Sequence, residues 1–181
     1  MYFTLAGHTL NPLFDTEQLA GELMQRGWML ATAESCTGGM IAARCTDMAG
    51  SSQWFERGFV SYSNDAKHEM LGVPTELIDK HGAVSEAVAQ AMVLGALNRS
   101  QAQVALAVTG IAGPSGGSMD KPVGTVCFAW GLPSDGGPTL GAETAWVKVE
   151  TCLFEGDRAA VRLATLQHAM AQLLFLLNKR P

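Results

Sequence analysis

The sequence has few of the features that define proteins stabilised by a structural metal ion or by disulfide bonds. Only 4 of its 181 residues are cysteines, and no two of them are spaced as C-x-x-C. Structural zinc sites use closely spaced cysteines and histidines, so this spacing argues against zinc. A chain of this length also buries enough surface to fold without a metal or a disulfide. We therefore expect reduced thiols, as in cytoplasmic proteins.

Long apolar runs and clusters of basic residues are also missing. Residues 1–14 contain no basic stretch followed by a long apolar one, so we expect no signal peptide. The apolar stretch 170–177 is interrupted by Gln172 and is too short to span a bilayer. Lys and Arg number 12 against 17 Asp and Glu, a net charge of −5. We expect no membrane and no nucleic-acid partner.

The chain does contain a regular alternation of helical and strand-like segments. Apolar residues make up 48% of the sequence and charged residues 16%, which is typical of a globular protein. The alternation predicts an α/β fold, a three-layer α/β/α sandwich on a mixed, mostly parallel sheet of about five strands. We expect one domain over 1–181, with 1–15 as an N-terminal extension. The predicted strands are 28–33, 59–62, 104–108, 123–130 and 144–149.

Three turns that follow predicted strands are rich in Ser, Thr and Gly. They cover residues 34–39, 62–67 and 109–117. Ligands of open α/β sheets bind beyond the carboxyl ends of the strands. Because parallel strands end at the same edge, these three turns are expected to form one site.

The first turn places Ser35 between a strand and a helix. An exposed serine hydroxyl beside free N–H groups, here those of Thr37 and Gly38, is the arrangement that a serine nucleophile with an oxyanion hole needs. The alternative is that Ser35 or Thr37 simply caps the helix. Cys36 is a rival nucleophile, but no histidine is placed to activate it, which favours a buried packing role.

The second turn offers a base for this serine. A desolvated lysine has a lowered pKa and can take a proton from a hydroxyl, so Lys67 is the candidate, with Tyr62 relaying or orienting that proton. The alternative is a solvated Lys67 paired with Asp65 or Glu69.

The third turn and the last helix offer groups for an anion. The glycine-rich loop 109–117 is not a Walker A loop, but its N–H groups can hold a phosphate. A flexible surface connection is the alternative. Arg158 begins the last predicted helix, where a cation gains nothing from the helix dipole. It is therefore either a ligand for an anion or a partner of Asp157 or Glu155.

Six motifs together resemble one known family. They are A-E-S-C-T-G-G (33–39), Y-S-N-D-A-K (62–67), H-G-A-V-S (81–85), T-G-I-A-G-P-S-G-G-S (109–118), K-P-V-G-T-V (121–126) and G-D-R-A-A-V-R (156–162). In this order they resemble the CinA C-terminal domain family, also called the PncC-type nicotinamide-nucleotide amidases, over residues 19–174.

The resemblance implies a fold and an activity. The fold is of the anticodon-binding-domain type, with a mixed five-stranded sheet. The activity is hydrolysis of the carboxamide of nicotinamide mononucleotide (NMN) to nicotinate mononucleotide and ammonia, in pyridine nucleotide salvage. It implies no metal and no organic cofactor, and members are commonly homodimers.

The resemblance also implies roles for single residues. It makes Ser35 the nucleophile, Lys67 the general base and Tyr62 a supporting residue, and it adds Ser52 as a further polar active-site position. The substrate-binding positions that it implies are Asn64, Thr109, Gly110, Gly113 and Arg158.

The sequence departs from the family pattern in three places. Full-length CinA proteins carry a further N-terminal domain, so this chain is expected to be the stand-alone form. The connection 131–142 is longer than usual, and Asp65 stands where Glu is usual. Two other readings stay open: a nucleotide-binding module without catalysis, and an amidohydrolase that uses Cys36 or acts on another amide.

Overall fold

The computed structural model describes residues 4–5, 8–9, 16–134, 143 and 145–179. The expected N-terminal extension 1–15 and the expected long connection 131–142 therefore lie mostly outside the described residues. The helices are α1 (Thr16–Arg26), α2 (Met40–Thr46), α3 (Asn64–Leu71), α4 (Thr75–His81), α5 (Glu86–Asn98) and α6 (Arg158–Lys179). The strands are β1 (Thr4–Leu5), β2 (His8–Thr9), β3 (Leu30–Glu34), β4 (Phe55–Val60), β5 (Val104–Gly110), β6 (Thr125–Pro133) and β7 (Ala145–Leu153).

Five strands form the central sheet, in the order β4-β3-β5-β6-β7. The pairs β3–β4 and β3–β5 are parallel, whereas β5–β6 and β6–β7 are antiparallel. The predicted mixed five-stranded sheet is thus confirmed. β1 and β2 form a separate antiparallel pair.

The second strand of the sheet begins earlier than the sequence predicts. The prediction was 59–62, but β4 runs over Phe55–Val60. It is an edge strand with half of its residues exposed, and the adjacent charged residues Glu56 and Arg57, of which Arg57 is exposed, interrupt the alternation of apolar residues. Edge strands commonly carry such charges.

The sheet separates two hydrophobic cores. Large side chains such as Leu30, Leu106 and Phe128 face α1, α2 and α6. Alanines such as Ala105 and Ala107 face α3, α4 and α5, and these small side chains let α5 lie close to the sheet. Residues on one strand alternate between the two faces, so each strand contributes to both cores. The result is the predicted three-layer arrangement.

Helix α6 is a core helix. Its 22 residues are long and apolar enough to cross a membrane by length and composition, which the shorter stretch 170–177 did not suggest. Half of that apolar window is buried inside the protein, however. Val161, Leu173 and Leu177 are fully buried in the core that α6 shares with the sheet.

Candidate active site

One pocket collects residues from the three predicted turns. It has a volume of about 240 Å³ and lies where β3, β4 and β5 end. This convergence follows from the parallel β4-β3-β5 pairing, which brings the three carboxyl ends to one edge of the sheet. The lining residues are Ser35, Cys36, Tyr62, Asn64, Lys67, Ala83, Val84, Thr109, Gly110, Ala112 and Arg158.

Lys67 and Ser35 are in direct contact at the base of this pocket. The Nζ of Lys67 lies 3.0 Å from the Ser35 Oγ, and it donates to the backbone carbonyls of Ser61 at 2.9 Å and Tyr62 at 3.2 Å. Lys67 is 1% exposed. Within the described part of the chain no carboxylate pairs with it, so the reading of Lys67 as a solvated lysine is wrong.

The surroundings of Lys67 favour its neutral form. Burial lowers the pKa of this ammonium below its ordinary value. The attraction that opposes this shift comes from a Cys36 thiolate. That thiolate does not form near neutral pH, because burial raises the pKa of the Cys36 thiol to about 11. A neutral amine has two N–H donors for the two carbonyls, so its lone pair is left for the Ser35 hydroxyl.

The surroundings of Cys36 favour a packing role over that of a second nucleophile. It is 4% exposed and belongs to the core between the sheet and α6. The thiolate is the reactive form, and a thiol with a pKa of about 11 stays protonated at neutral pH. No histidine lines the described pocket to take its proton.

Glu34, which sequence reasoning did not single out, holds the turn that carries Ser35. Its fully buried carboxylate accepts from the N–H groups of Gly39 at 3.0 Å, Ile41 at 3.1 Å and Ala42 at 2.8 Å. The first N–H groups of α2 are thus satisfied by Glu34. The alternative that Ser35 or Thr37 caps this helix is therefore wrong, and the Ser35 hydroxyl is available to Lys67.

The backbone N–H groups of the turn differ in availability. The Gly38 N–H donates to the Ser35 carbonyl at 3.1 Å, so it is engaged within the turn. In residues 16–134 and 145–179 no oxygen accepts from the Thr37 N–H, which is directed at the Cys36 sulfur, and the buried Thr37 hydroxyl has no partner. Gly38 and Gly39 have φ values of 60° and 93°, a conformation that favours glycine.

Arg158 and Tyr62 meet at the mouth of the pocket. Arg158 donates to the Tyr62 hydroxyl at 3.2 Å and to the Gly113 carbonyl at 3.0 Å. Gly113 thus touches the site through its carbonyl. Tyr62 is 61% exposed, and no carboxylate among the described residues pairs with Arg158. A guanidinium held only by neutral oxygens remains able to bind an anion.

The opposite wall is fixed by two hydrogen-bonding side chains. Thr109 donates to the Ala83 carbonyl at 2.9 Å, and Lys121 donates to the carbonyls of His81 at 2.8 Å and Val84 at 2.7 Å. These bonds hold the segment 81–84 against the glycine-rich loop, a link that the separate motifs did not reveal.

Ser52 is the one implied site residue that the structure places elsewhere. It is exposed and lies in a short 3-10 turn, Ser51–Gln53, before β4 begins. Tyr62 follows the other end of that strand. Six strand residues span about 20 Å, so Ser52 does not reach the pocket of this chain.

A second polar cluster lies on β7 and α6, outside the pocket. Glu150, Cys152 and His168 have ligand-type atoms within 4.8 Å of one another, a proximity hidden by their separation in sequence. Lys148 donates to Glu150 at 3.0 Å, and the Cys152 sulfur lies 3.6 Å from both Glu150 and His168. The three groups satisfy each other as a hydrogen-bonded cluster.

Several known proteins are similar to this chain in sequence and in fold. The family model of the CinA C-terminal domain matches residues 15–177 of the sequence. The nicotinamide-nucleotide amidohydrolase PncC of Escherichia coli (strain K12) is 49% identical over 158 residues, which are 87% of this chain and 90% of that protein. The CinA-like protein of Syntrophobacter fumaroxidans is 48% identical over 155 residues, 85% of this chain.

Relatives of two lengths occur. The chain spans only 34% of the Syntrophobacter protein, about a third of its length. Among solved structures, the competence/damage inducible protein CihA from Agrobacterium tumefaciens has a TM-score of 0.79 and 44% identity, covering 92% of this chain and 97% of that one. Both the sequence match and the fold lead to one assignment: the chain belongs to the CinA C-terminal domain family.

Proposed function

We propose that this protein hydrolyses the carboxamide of nicotinamide mononucleotide to nicotinate mononucleotide and ammonia. The observation that carries the proposal is the buried contact of 3.0 Å between Lys67 Nζ and Ser35 Oγ. It pairs a nucleophile with a base whose pKa burial lowers. Relatives of matching length, named nicotinamide-nucleotide amidohydrolase, supply the substrate class.

The reaction begins with proton transfer. Neutral Lys67 takes the proton of Ser35, and the Ser35 oxygen attacks the carboxamide carbon. The two carbonyls that receive hydrogen bonds from Nζ, those of Ser61 and Tyr62, keep the amine aimed at the hydroxyl and stabilise the ammonium that forms.

Attack places a negative charge on the amide oxygen. The donor we assign to it is the Thr37 N–H, which among the described residues faces only the Cys36 sulfur, a weak acceptor that the oxyanion can replace. One such donor contributes about 3 kcal/mol to transition-state stabilisation. The engaged Gly38 N–H contributes only if it leaves the Ser35 carbonyl.

Collapse of the tetrahedral intermediate breaks the C–N bond. The Lys67 ammonium returns its proton to the nitrogen, which leaves as ammonia, and Ser35 keeps the acyl group. Water then attacks the ester with Lys67 again as base, so one amide and one water give one carboxylate and one ammonia. The Tyr62 hydroxyl, at the pocket mouth, is assigned to orient the substrate and the departing ammonia.

The phosphate of the nucleotide is assigned to Arg158. This guanidinium lines the same pocket as Ser35, together with Asn64, Thr109 and Gly110. We expect Arg158→Met to raise KM for NMN by about tenfold or more and to change kcat less, because a charge-assisted bond to the phosphate is lost in both ground and transition states. Steady-state kinetics measures this, and an unchanged KM removes Arg158 from the phosphate site.

Cys36→Ala tests the rival nucleophile directly. Since the thiol stays protonated and packs in the core, we expect the variant to keep at least about a tenth of the wild-type kcat. Treatment of the wild type with iodoacetamide at pH 7.5 should likewise leave most of the activity. A loss of three orders of magnitude in a folded Cys36→Ala protein would instead assign the chemistry to the sulfur.

The test of the function is product analysis. Purified protein incubated with NMN should yield nicotinate mononucleotide and ammonia in equal amounts. Nicotinamide riboside, which lacks the phosphate, should be a far poorer substrate. A folded protein that binds NMN without releasing ammonia would support the alternative of a binding module.

The proposal extends to the cell and the assembly. We propose an enzyme that acts in the cytoplasm, as its reduced cysteines predict, and that forms a homodimer and uses no metal or organic cofactor, as the family resemblance implies. Light scattering coupled to size exclusion measures the oligomeric state, and a monomer at micromolar concentration would overturn the dimer.

A further inference from the structure

The first two turns of α6 contribute two arginines to the pocket region, and the proposed function uses only one of them. Arg162 lies one helical turn after Arg158. Its Nε donates to the Cys36 carbonyl at 3.1 Å, and its Nη2 donates to the Thr37 carbonyl at 2.7 Å. In the described part of the chain no acidic side chain pairs with it. This half-buried guanidinium therefore uses two of its N–H donors to bind two successive carbonyls of the turn that carries Ser35.

These two bonds fix the orientation of two peptide planes. In a trans peptide the N–H points away from the preceding carbonyl. Because the Cys36 and Thr37 carbonyls face Arg162, the N–H groups of Thr37 and Gly38 point to the opposite side. The Gly38 N–H indeed reaches the Ser35 carbonyl there, at 3.1 Å.

The other side of the same turn is held by the opposite charge. The Glu34 carboxylate accepts from the N–H groups of Gly39, Ile41 and Ala42. A carboxylate on the N–H groups of Gly39 and the start of α2, and a guanidinium on the carbonyls of Cys36 and Thr37, thus hold the turn from both sides.

We propose that Arg162 is a positioning residue for catalysis: it holds the turn so that Ser35 Oγ stays on Lys67 Nζ and the Thr37 N–H stays available to the oxyanion. The inference rests on the proposed function and goes beyond it, since Arg162 does not line the pocket and bonds to backbone carbonyls instead of Ser35 Oγ or Lys67 Nζ. Gly38 lies beside this guanidinium, and its φ of 60° is the feature that favours glycine there.

The test compares two arginines on one helix. We expect Arg162→Met to lower kcat by about 100-fold, the loss that a misplacement of about 1 Å can cause, with KM for NMN within about threefold of wild type. Arg158→Met should show the reverse split. Arg162→Lys should recover only part of kcat, because one ammonium does not reproduce the fork. A kcat of Arg162→Met within threefold of wild type would overturn the proposal.

A second readout does not depend on NMN. A fluorophosphonate probe labels an activated serine, and its rate reports how well Ser35 and Lys67 are aligned. We expect labelling of Arg162→Met to be about tenfold slower than wild type, and equal rates would contradict the positioning role. If wild type reacts with the probe but releases no ammonia from NMN, the proposed function fails while the Arg162 comparison still stands. Should Arg162→Met not fold, Arg162→Lys and Arg162→Gln carry the same comparison.

Discussion

Replacing Lys67 by Met should lower turnover strongly and change how stability depends on pH. Met keeps most of the apolar volume of the buried side chain but accepts no proton. Without a base, Ser35 is a weak nucleophile, so we expect kcat to fall by about 10²- to 10⁴-fold. The exposed Lys80→Met is the matched control, and it should keep the wild-type rate.

The pH dependence follows from the direction of the pKa shift. Activity needs neutral Lys67, so kcat/KM of wild type should rise with pH and level off above the folded-state pKa of Lys67, which lies below the ordinary 10.5. Between that pKa and 10.5 the unfolded chain binds one proton more than the folded protein. The contribution of Lys67 to the free energy of unfolding therefore becomes more favourable to the folded protein as pH rises through this window.

Denaturation at several pH values measures this gain. The difference in unfolding free energy, wild type minus Lys67→Met, should increase as pH rises, whereas Lys80→Met should follow the wild type. A difference that does not change with pH would mean that Lys67 is charged in the folded protein, and it would contradict the assignment of Lys67 as base.

Replacing Ser35 by Ala should separate binding from chemistry. Loss of the nucleophile is expected to lower kcat by at least about 10³-fold, as for other serine hydrolases. The Kd for NMN should stay within about threefold of wild type, because the hydroxyl that is removed binds Lys67 and not the phosphate. Isothermal titration calorimetry measures this binding.

Ser100→Ala is the control for the loss of a buried serine hydroxyl. Ser100 is 9% exposed and lies before β5, at the edge of the sheet opposite the pocket. It should turn over NMN like wild type. A Ser35→Ala protein with a rate close to that of Ser100→Ala would show that another group attacks the amide.

The sequence predicts that the main pocket residues lie close together, because each of them follows a predicted strand. Ser35, Lys67 and Thr109 each lie in a turn after a predicted strand, and parallel strands bring such turns together. Burial of Lys67 and its contact with Ser35 were not predictable from spacing alone, since both depend on how α3 packs on the sheet. The same sequence fits a solvated lysine equally well.

Other features of the site could not be predicted from the sequence, because the interacting residues are far apart in the chain or have an unusual spacing. Glu34 accepts from N–H groups five to eight residues ahead, unlike a capping box. Arg162 reaches carbonyls 125 and 126 residues away. Ser52 matched a family position, yet the early start of β4 places it at the other edge of the sheet.

The most direct test of the account is ammonia release from NMN by wild type and Ser35→Ala side by side, each with and without EDTA. We predict release by wild type that survives the chelator and is absent in the variant. Release that persists in folded Ser35→Ala, or that EDTA abolishes, would contradict a serine amidase activated by Lys67.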